Sequence, residues 1–518
     1  MPRGDVRIEL VPPIRGLRAD MPRHLVPDGY LTDGSNALVR YGAVVVRPGV
    51  SAITTAPSAN RVMGLIYYVD HTDVDQVVAG TTASFHIFNG VAWSNITGTA
   101  LTGGNDNQVR FSVFQISNAT RLIAVNDADV PQVYTGSGTF AALGGSPPIA
   151  KCITSAFQRV ILGNVTVSGV RRGSSMWISG FQDSTSWSST NEVTLSDTND
   201  LIVEIKALNT QAFAVYKDRS QWIGIGTGNI FPFIFELRDQ QPGPVSPASV
   251  VQAESSHYYL GQDGDIYRFD GNRCTSIGAA VKPVIQTDVD FVLANRAHGF
   301  YDPFYREIYW FWPTTQGPNQ TSGIVYRLPY GDLPGAFSTL LSYAMILTAS
   351  SQWRRLSTVS WNSLTGTWDD LGNTYPTWNI FGGAQTYSGI LGDSTGQVSE
   401  YGLTGGDNGQ AFSAQWDFPF RALTGVGENV RVDAIESMFR NAVAGTTANI
   451  ILVTSNTMDT NGTAETAQSV NLNSGSRLRA TYENVVGRFV SVRHTMTGLL
   501  GLQEYRGGTL FVYKRGED

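Results

Sequence analysis

The stretch HYYLGQDGDIYRFDGNR, residues 257–273, alternates apolar and polar residues around Asp-Gly and ends in Asp270-Gly271-Asn272. It reads as strand, turn, strand, turn, because glycine supplies the positive φ that a tight hairpin turn needs. One hairpin is only marginally stable in water, so this one must belong to a larger β-structure. Relatives of the stretch recur along the chain: SFHIFNGVAW (84–93), PQVYTGSGTF (131–140), SQWIGIGTGNIF (220–231), REIYWFWPTTQGPNQTSGIVYRLPYGD (306–332) and GILGDSTGQVSEYGLTGG (389–406). An aromatic residue marks each copy: Phe88, Tyr134, Tyr216, Tyr267, Tyr326 and Tyr401, at spacings of roughly 45–80 residues.

Six irregular copies with about four strands each predict a six-bladed β-propeller. A four-stranded blade cannot hide both faces alone, so blades stack radially and bury them against their neighbours. On that reading the marker aromatics pack blade against blade. No WD dipeptide signature accompanies them.

Short β-branched or aromatic runs bounded by Gly, Asn, Asp or Pro fill the rest of residues 37–420, among them ALVRYGAVVV, RVMGLIYYV, RLIAV and RVILGNVTV. VKPVIQTDVDFVLANRA (281–297) is the best short helical candidate. Residues 1–36 hold an extended, Pro-rich N-terminal arm with little periodicity, five of the first 30 residues being proline. Residues 421–518 lose the aromatic motif and alternate more regularly, as in TANIILVTS and GRFVSVRHTM, which predicts a C-terminal β-sandwich. The expected domains are therefore an arm (1–36), a propeller (37–420) and a sandwich (421–518).

Composition supports an all-β fold and narrows the function. The chain has 518 residues, 55 of them Gly, with 42% apolar and only 15% charged residues. That leaves ample material for a core and is no disordered composition. Net charge is −7, and no Lys/Arg run exceeds the pairs Arg171-Arg172 and Arg354-Arg355, so a basic footprint for gripping nucleic acid is missing. Of the 36 basic residues 31 are arginine, the residue suited to planar, bidentate contacts at interfaces. Cys152 and Cys274 stand far apart with no CxxC, which predicts two free, buried thiols. No apolar run reaches a membrane span, and the N-terminus has no signal-like apolar region, so no membrane partner is expected.

Candidate chemistry is sparse. Glycosidases on propellers need paired carboxylates across a cleft, and Asp263, Asp265, Asp369, Asp370, Asp393 and Glu400 are available. All sit in turn contexts where Asp is expected as a turn former. Neither QDGDIYRF nor GDSTGQVSEY has the spacing of the sialidase turn motif, Ser/Thr-x-Asp-x-Gly-x-x-aromatic. DHTDVDQ (70–76) gathers Asp70, Asp73 and Asp75 but lacks the Gly and distal Glu of an EF-hand loop. The six histidines, His24, His71, His86, His257, His298 and His494, are scattered without a ligand spacing. With no phosphate loop and no GxSxG elbow either, the expectation is a protein that is not an enzyme, with no catalytic, cofactor-binding or metal-binding residues.

In motif order the chain resembles a known family. PDGYLTDGSNALVRYGAVVVRPG follows the Pro-rich arm; RVILGNVTV, MWISGFQDSTSW, LIVEIKALNTQAFAVYKDRSQWIGIGTG and HYYLGQDGDIYRFDG come next; GRFVSVRHTMTGLLGLQEYRGGTLFVYKRG closes the chain. This is similar to the tail nozzle, or packaged-DNA stabilisation, proteins of short-tailed bacteriophages. The resemblance implies a β-propeller with an added platform domain, and a homohexameric ring below the head–tail adaptor. It also implies tail fibres, spikes or needle proteins as partners, genomic DNA passing through the lumen without sequence-specific binding, and a place in the virion tail after assembly in the host cytoplasm. Two alternatives stand beside it: a glycan-binding or glycan-cleaving propeller, and a tail hub or baseplate protein of a longer-tailed phage.

Overall fold

The computed structural model describes residues 6–40, 42–116, 119–227, 232–317, 319–356, 385–402, 406–422, 430–440, 447–455, 462–471, 478–498 and 504–514. Seven antiparallel sheets follow one another along the chain, at 62–95, 110–142, 149–194, 202–239, 251–276, 298–343 and 347–401, and are numbered here as blades 1 to 7. Each is a meander of four strands; blade 6 carries a fifth, Leu341–Tyr343. The fourth strand of blade 7 comes from the other end of the sequence, Val50–Ala52 pairing with Val398–Tyr401.

The first strands of successive blades adjoin one another around the ring. Val62–Val69 touches Arg110–Ile116, which touches Ile149–Ala156, which touches Ile202–Ala207. Val251–Ala253, His298–Asp302 and Leu347–Leu356 continue the series, and Leu347–Leu356 lies back against Val62–Val69. Blade 4 joins blade 5 through Lys206, whose Nζ donates to the Val250 carbonyl at 2.9 Å. The order and the closure make this part of the chain a β-propeller. Adjacent inner strands run very close: a Cβ at Gly64 would lie 2.1 Å from the Val109 carbonyl oxygen, and Val109 N–H donates to the Met63 carbonyl at 3.0 Å.

The expected six blades are corrected to seven. All six marker aromatics lie in separate blades and are buried. Phe88, Tyr134, Tyr267, Tyr326 and Tyr401 sit on third strands, while Tyr216 sits on a second strand. They fill the gaps between blades: Tyr216 meets Tyr259 and Phe269 of blade 5 at 5.3 and 5.8 Å between ring centroids, and Tyr401 meets Phe300 of blade 6 at 6.3 Å. The overlooked unit is blade 3. Its third strand, Val170–Ile178, begins in Arg171-Arg172 and has its aromatic, Trp177, at the far end from the Gly169 turn.

The hairpin within 257–273 forms as its sequence dictates. Ser256–Leu260 pairs with Ile266–Phe269 in the register Leu260↔Ile266, and Gly264 in the loop has φ +77°. Phe269 then pairs with Cys274 across Gly271-Asn272, with Gly271 at φ +94°. The α-helix of the described residues, Lys282–Asp288, covers the first part of the predicted 281–297 segment, with Pro283 in its first turn, where a missing N–H costs nothing.

The expected boundaries at 36/37 and 420/421 are displaced. Val6–Leu10, Ala37–Arg40 and Ala43–Val46 join a sheet with Val430–Arg440, Leu478–Gly487 and Glu504–Lys514. Asp33–Ser35 and Phe412–Asp417 join a second sheet with Phe489–Gly498 and Thr447–Ser455. The two sheets share one apolar core, in which His494 of one lies between Trp416 of its own sheet and Tyr505 of the other, with centroids 5.4 and 4.7 Å away. Both chain ends thus build this two-layered part, and Ala37–Val46 belongs to it and not to the propeller. Sequence periodicity marks these segments as strands but is silent about partners hundreds of residues away.

Two buried arginines fasten the layers to the ring. Arg40 donates to both Glu307 carboxylate oxygens of blade 6 at 2.8 and 2.6 Å and lies over the Tyr305 ring. Arg47, wholly buried, donates to Asp407 at 2.9 and 2.5 Å, to Asn36 Oδ1 at 2.8 Å and to the Ser342 carbonyl at 2.9 Å. Its guanidinium also stacks on Tyr343 and Phe412.

Candidate functional site

Of the carboxylates singled out from the sequence, Asp263, Asp265 and Asp393 are engaged in turns, whereas Glu400, also expected in a turn, lies within the strand Val398–Tyr401. Asp263 Oδ2 accepts from Lys282 Nζ at 2.5 Å and from Tyr267 OH at 3.1 Å, and Lys282 holds its carboxyl below the usual range against the opposing effect of burial. Asp265 accepts from its neighbour's backbone, Ile266 N–H, at 2.7 Å and from Ser276 Oγ at 2.8 Å. Asp393 Oδ1 accepts from the Thr395 and Gln397 N–H groups, closing the turn between Gln385–Asp393 and Val398–Tyr401. Glu400 Oε1 accepts from Ser388 Oγ at 3.0 Å. Asp369 and Asp370 lie outside the described residues. Replacing Asp263 or Asp393 with Asn is therefore expected to lower stability by about 1–2 kcal/mol through the turn alone, as read by urea denaturation of each variant.

The Asp70–Asp75 cluster does not converge on a common point. Asp70 Oδ1 accepts from Thr72 N–H and Val74 N–H, bonds that hold its carboxyl at about 2, while Asp75 accepts from Tyr67 OH at 2.5 Å. Among the described residues no group of three or more His, Cys, Asp or Glu could hold a metal ion. Four of the six histidines are buried in packing: His86 against Ser84, His257 between Tyr216 OH and the Ala207 carbonyl, His298 beside Ser350, and His494 beside Ser437. Burial lowers His257 and His494 to about 3 and His298 to about 4. Cys152 and Cys274 are free and buried, as expected from their spacing.

Sequence reading missed the feature that the ring creates on its axis. A cavity of about 620 Å³ is walled by residues from the inner strands of blades 1, 2, 4, 5, 6 and 7. Each blade contributes a short stretch, for instance Ile66 and Tyr67, Gln108–Phe111, Lys206, Val250–Gln252, His298–Tyr301 and Ser350–Gln352. Two cations stand in this wall. Arg110 donates through Nη2 to Glu204 Oε2 at 2.8 Å, while its buried Nε has no hydrogen-bond partner. Burial and the nearby Arg110 lower Lys206 to about 8, although Glu204 opposes them. Burial likewise raises Glu204, against the pull of Arg110 and Lys206. No motif could have signalled this site, because its members are short, unlike stretches spread from blade 1 to blade 7.

No protein-family model and no curated protein matches the chain. Among solved structures it is similar to "YCF48 bound to D1 peptide", at 10% identity and a TM-score of 0.36, over 68% of this chain and 97% of that one. A likeness so distant has no bearing on activity.

Proposed function

We propose that the chain is a non-enzymatic virion structural protein, a tail-nozzle subunit of a short-tailed bacteriophage. Copies of it form a ring below the head–tail adaptor, six of them by the resemblance. The ring closes the DNA exit, retains the packaged genome, conducts it during ejection and carries fibres or spikes. The observation that supports the reading is the joining of a closed propeller to a two-layered, platform-like part by the buried arginines Arg40 and Arg47. Such a body is stiff across its two parts, which suits a gate under internal pressure better than a cleft that must open and close. A propeller with an added platform is also the architecture that the family resemblance implies.

A ring of identical subunits needs a heterologous, closing interface, of the obligate kind that buries on the order of 2,000 Å² or more. DNA must slide through it without sticking, and each phosphate neutralised by Arg or Lys would add affinity. Six copies of −7 sum to −42, which disfavours adhesion. The test is complementation. Particles assembled without this protein should fill and then leak DNA, and adding the purified chain should restore nuclease protection. Particles that hold their genome equally well without it would remove the reading.

A further inference from the structure

We infer that the axial cavity of the propeller is a binding site for a carboxylate-bearing sugar of the uronic or sialic acid type. Three features of the wall carry this. The first is charge: Arg110 and Lys206 bring two cations to one region of the wall, and the carboxylate near them, Glu204, is already held by Arg110 at 2.8 Å. One positive charge is left over in a chain whose net charge is −7. Arg110 Nε is buried without a hydrogen-bond partner, and among the described residues Lys206 Nζ makes one hydrogen bond, to the Val250 carbonyl, out of three it can donate. Unused donors on half-buried cations are costly to leave unpaired, and a ligand carboxylate entering the cavity would satisfy those of Lys206.

The second feature is polar breadth. Gln108, Gln252 and Gln352 come to the same cavity from blades 2, 5 and 7, and primary amides both donate and accept, as vicinal hydroxyls require. The third is apolar: Tyr67, Phe111 and Tyr301, each half-buried, line the cavity and supply apolar surface for the C–H side of a pyranose ring. A bare anion would use only the first feature and a neutral sugar only the second and third. The volume, about 620 Å³, lies within the range of small-molecule sites and admits one or two sugar units. The inference is independent of the nozzle reading, since the cavity lies within one subunit and not between subunits.

The test is isothermal titration calorimetry of the full chain with four probes: glucuronate, N-acetylneuraminate, glucose and inorganic phosphate. One acidic sugar should bind once per chain, at least tenfold more tightly than glucose and phosphate. Lys206→Met keeps the stem and removes the charge, and should weaken that binding tenfold or more. Gln252→Ala, which leaves the buried Arg110–Glu204 pair intact, should weaken it several-fold, and far-ultraviolet circular dichroism of both variants should match the parent. Phosphate binding as tightly as either acidic sugar would overturn the inference in favour of a simple anion site. Glucose binding equally well, no binding by any probe, or acidic-sugar binding unchanged in both variants would overturn it as well.

Discussion

Replacing Arg47 with alanine is expected to remove about 3–5 kcal/mol of stability, the usual cost of stripping one partner from a buried ion pair. Three carbonyl or amide oxygens and a carboxylate converge on this guanidinium: Asn36 Oδ1, the Pro48 and Ser342 carbonyls, and both oxygens of Asp407. Deleting it leaves Asp407, which is 5% exposed, without its counter-charge. Arg47→Lys should recover little. A lysine ammonium is a point charge with three donors and cannot reproduce the planar fork or the stacking on Tyr343 and Phe412. Urea denaturation gives the magnitude, and limited proteolysis gives the location. The variant should become cleavable near Pro48-Gly49, where the chain passes from the two-layered part to the last strand of blade 7. A loss below about 1 kcal/mol would show that the two parts hold together without this arginine.

Acidification from pH 7 to pH 5 is expected to destabilise the fold by on the order of 4 kcal/mol. His257 and His494 are lowered to about 3 and His298 to about 4, each chiefly by burial. A base whose folded value lies below its unfolded value of about 6.5 leaves stability unaffected above that pH. As pH falls below it, the unfolded chain takes up protons that the native state refuses, and stability is lost until the folded values are reached. Each histidine then contributes about 2 kcal/mol by pH 5, at about 1.4 kcal/mol per unit. Asp302, raised to about 6 by burial and by Glu307, acts in the opposite direction and offsets about 1 kcal/mol. The raised Glu204 opposes the histidines too. Urea midpoints measured at half-unit intervals of pH check the slope. His494→Gln should remove about 2 kcal/mol of the change, roughly half of the net, because Ser437 can still bond to the amide while the titrating group is gone.

Local signals in this sequence were legible wherever a feature closes within a few residues. The Asp-Gly and Gly-Asn turns of blade 5, the strand runs and the six buried aromatics are of this kind, because turn chemistry and alternation act over short spans. The count of blades failed at blade 3, where the aromatic, Trp177, stands away from the turn and the strand opens with two arginines. Those arginines are not idle: Arg171 pairs with Asp127, in the loop between the second and third strands of blade 2, and Arg172 with Glu192.

What failed entirely was long range. Ala37–Arg40 and Ala43–Val46 read as strands, yet their sheet includes Glu504–Lys514, at the far end of the chain. Arg40 and Arg47 look like ordinary surface cations until Glu307 and Asp407 arrive from elsewhere in the sequence. The axial cavity is the extreme case, since it exists only once the ring has closed.

The most direct test of the account is single-particle electron microscopy of the purified full-length protein over a range of concentrations. The account predicts closed rings of identical subunits around a common lumen, each subunit showing a seven-bladed disc fixed to a two-layered flank. Single discs at every concentration, or open-ended filaments in place of rings, would contradict it.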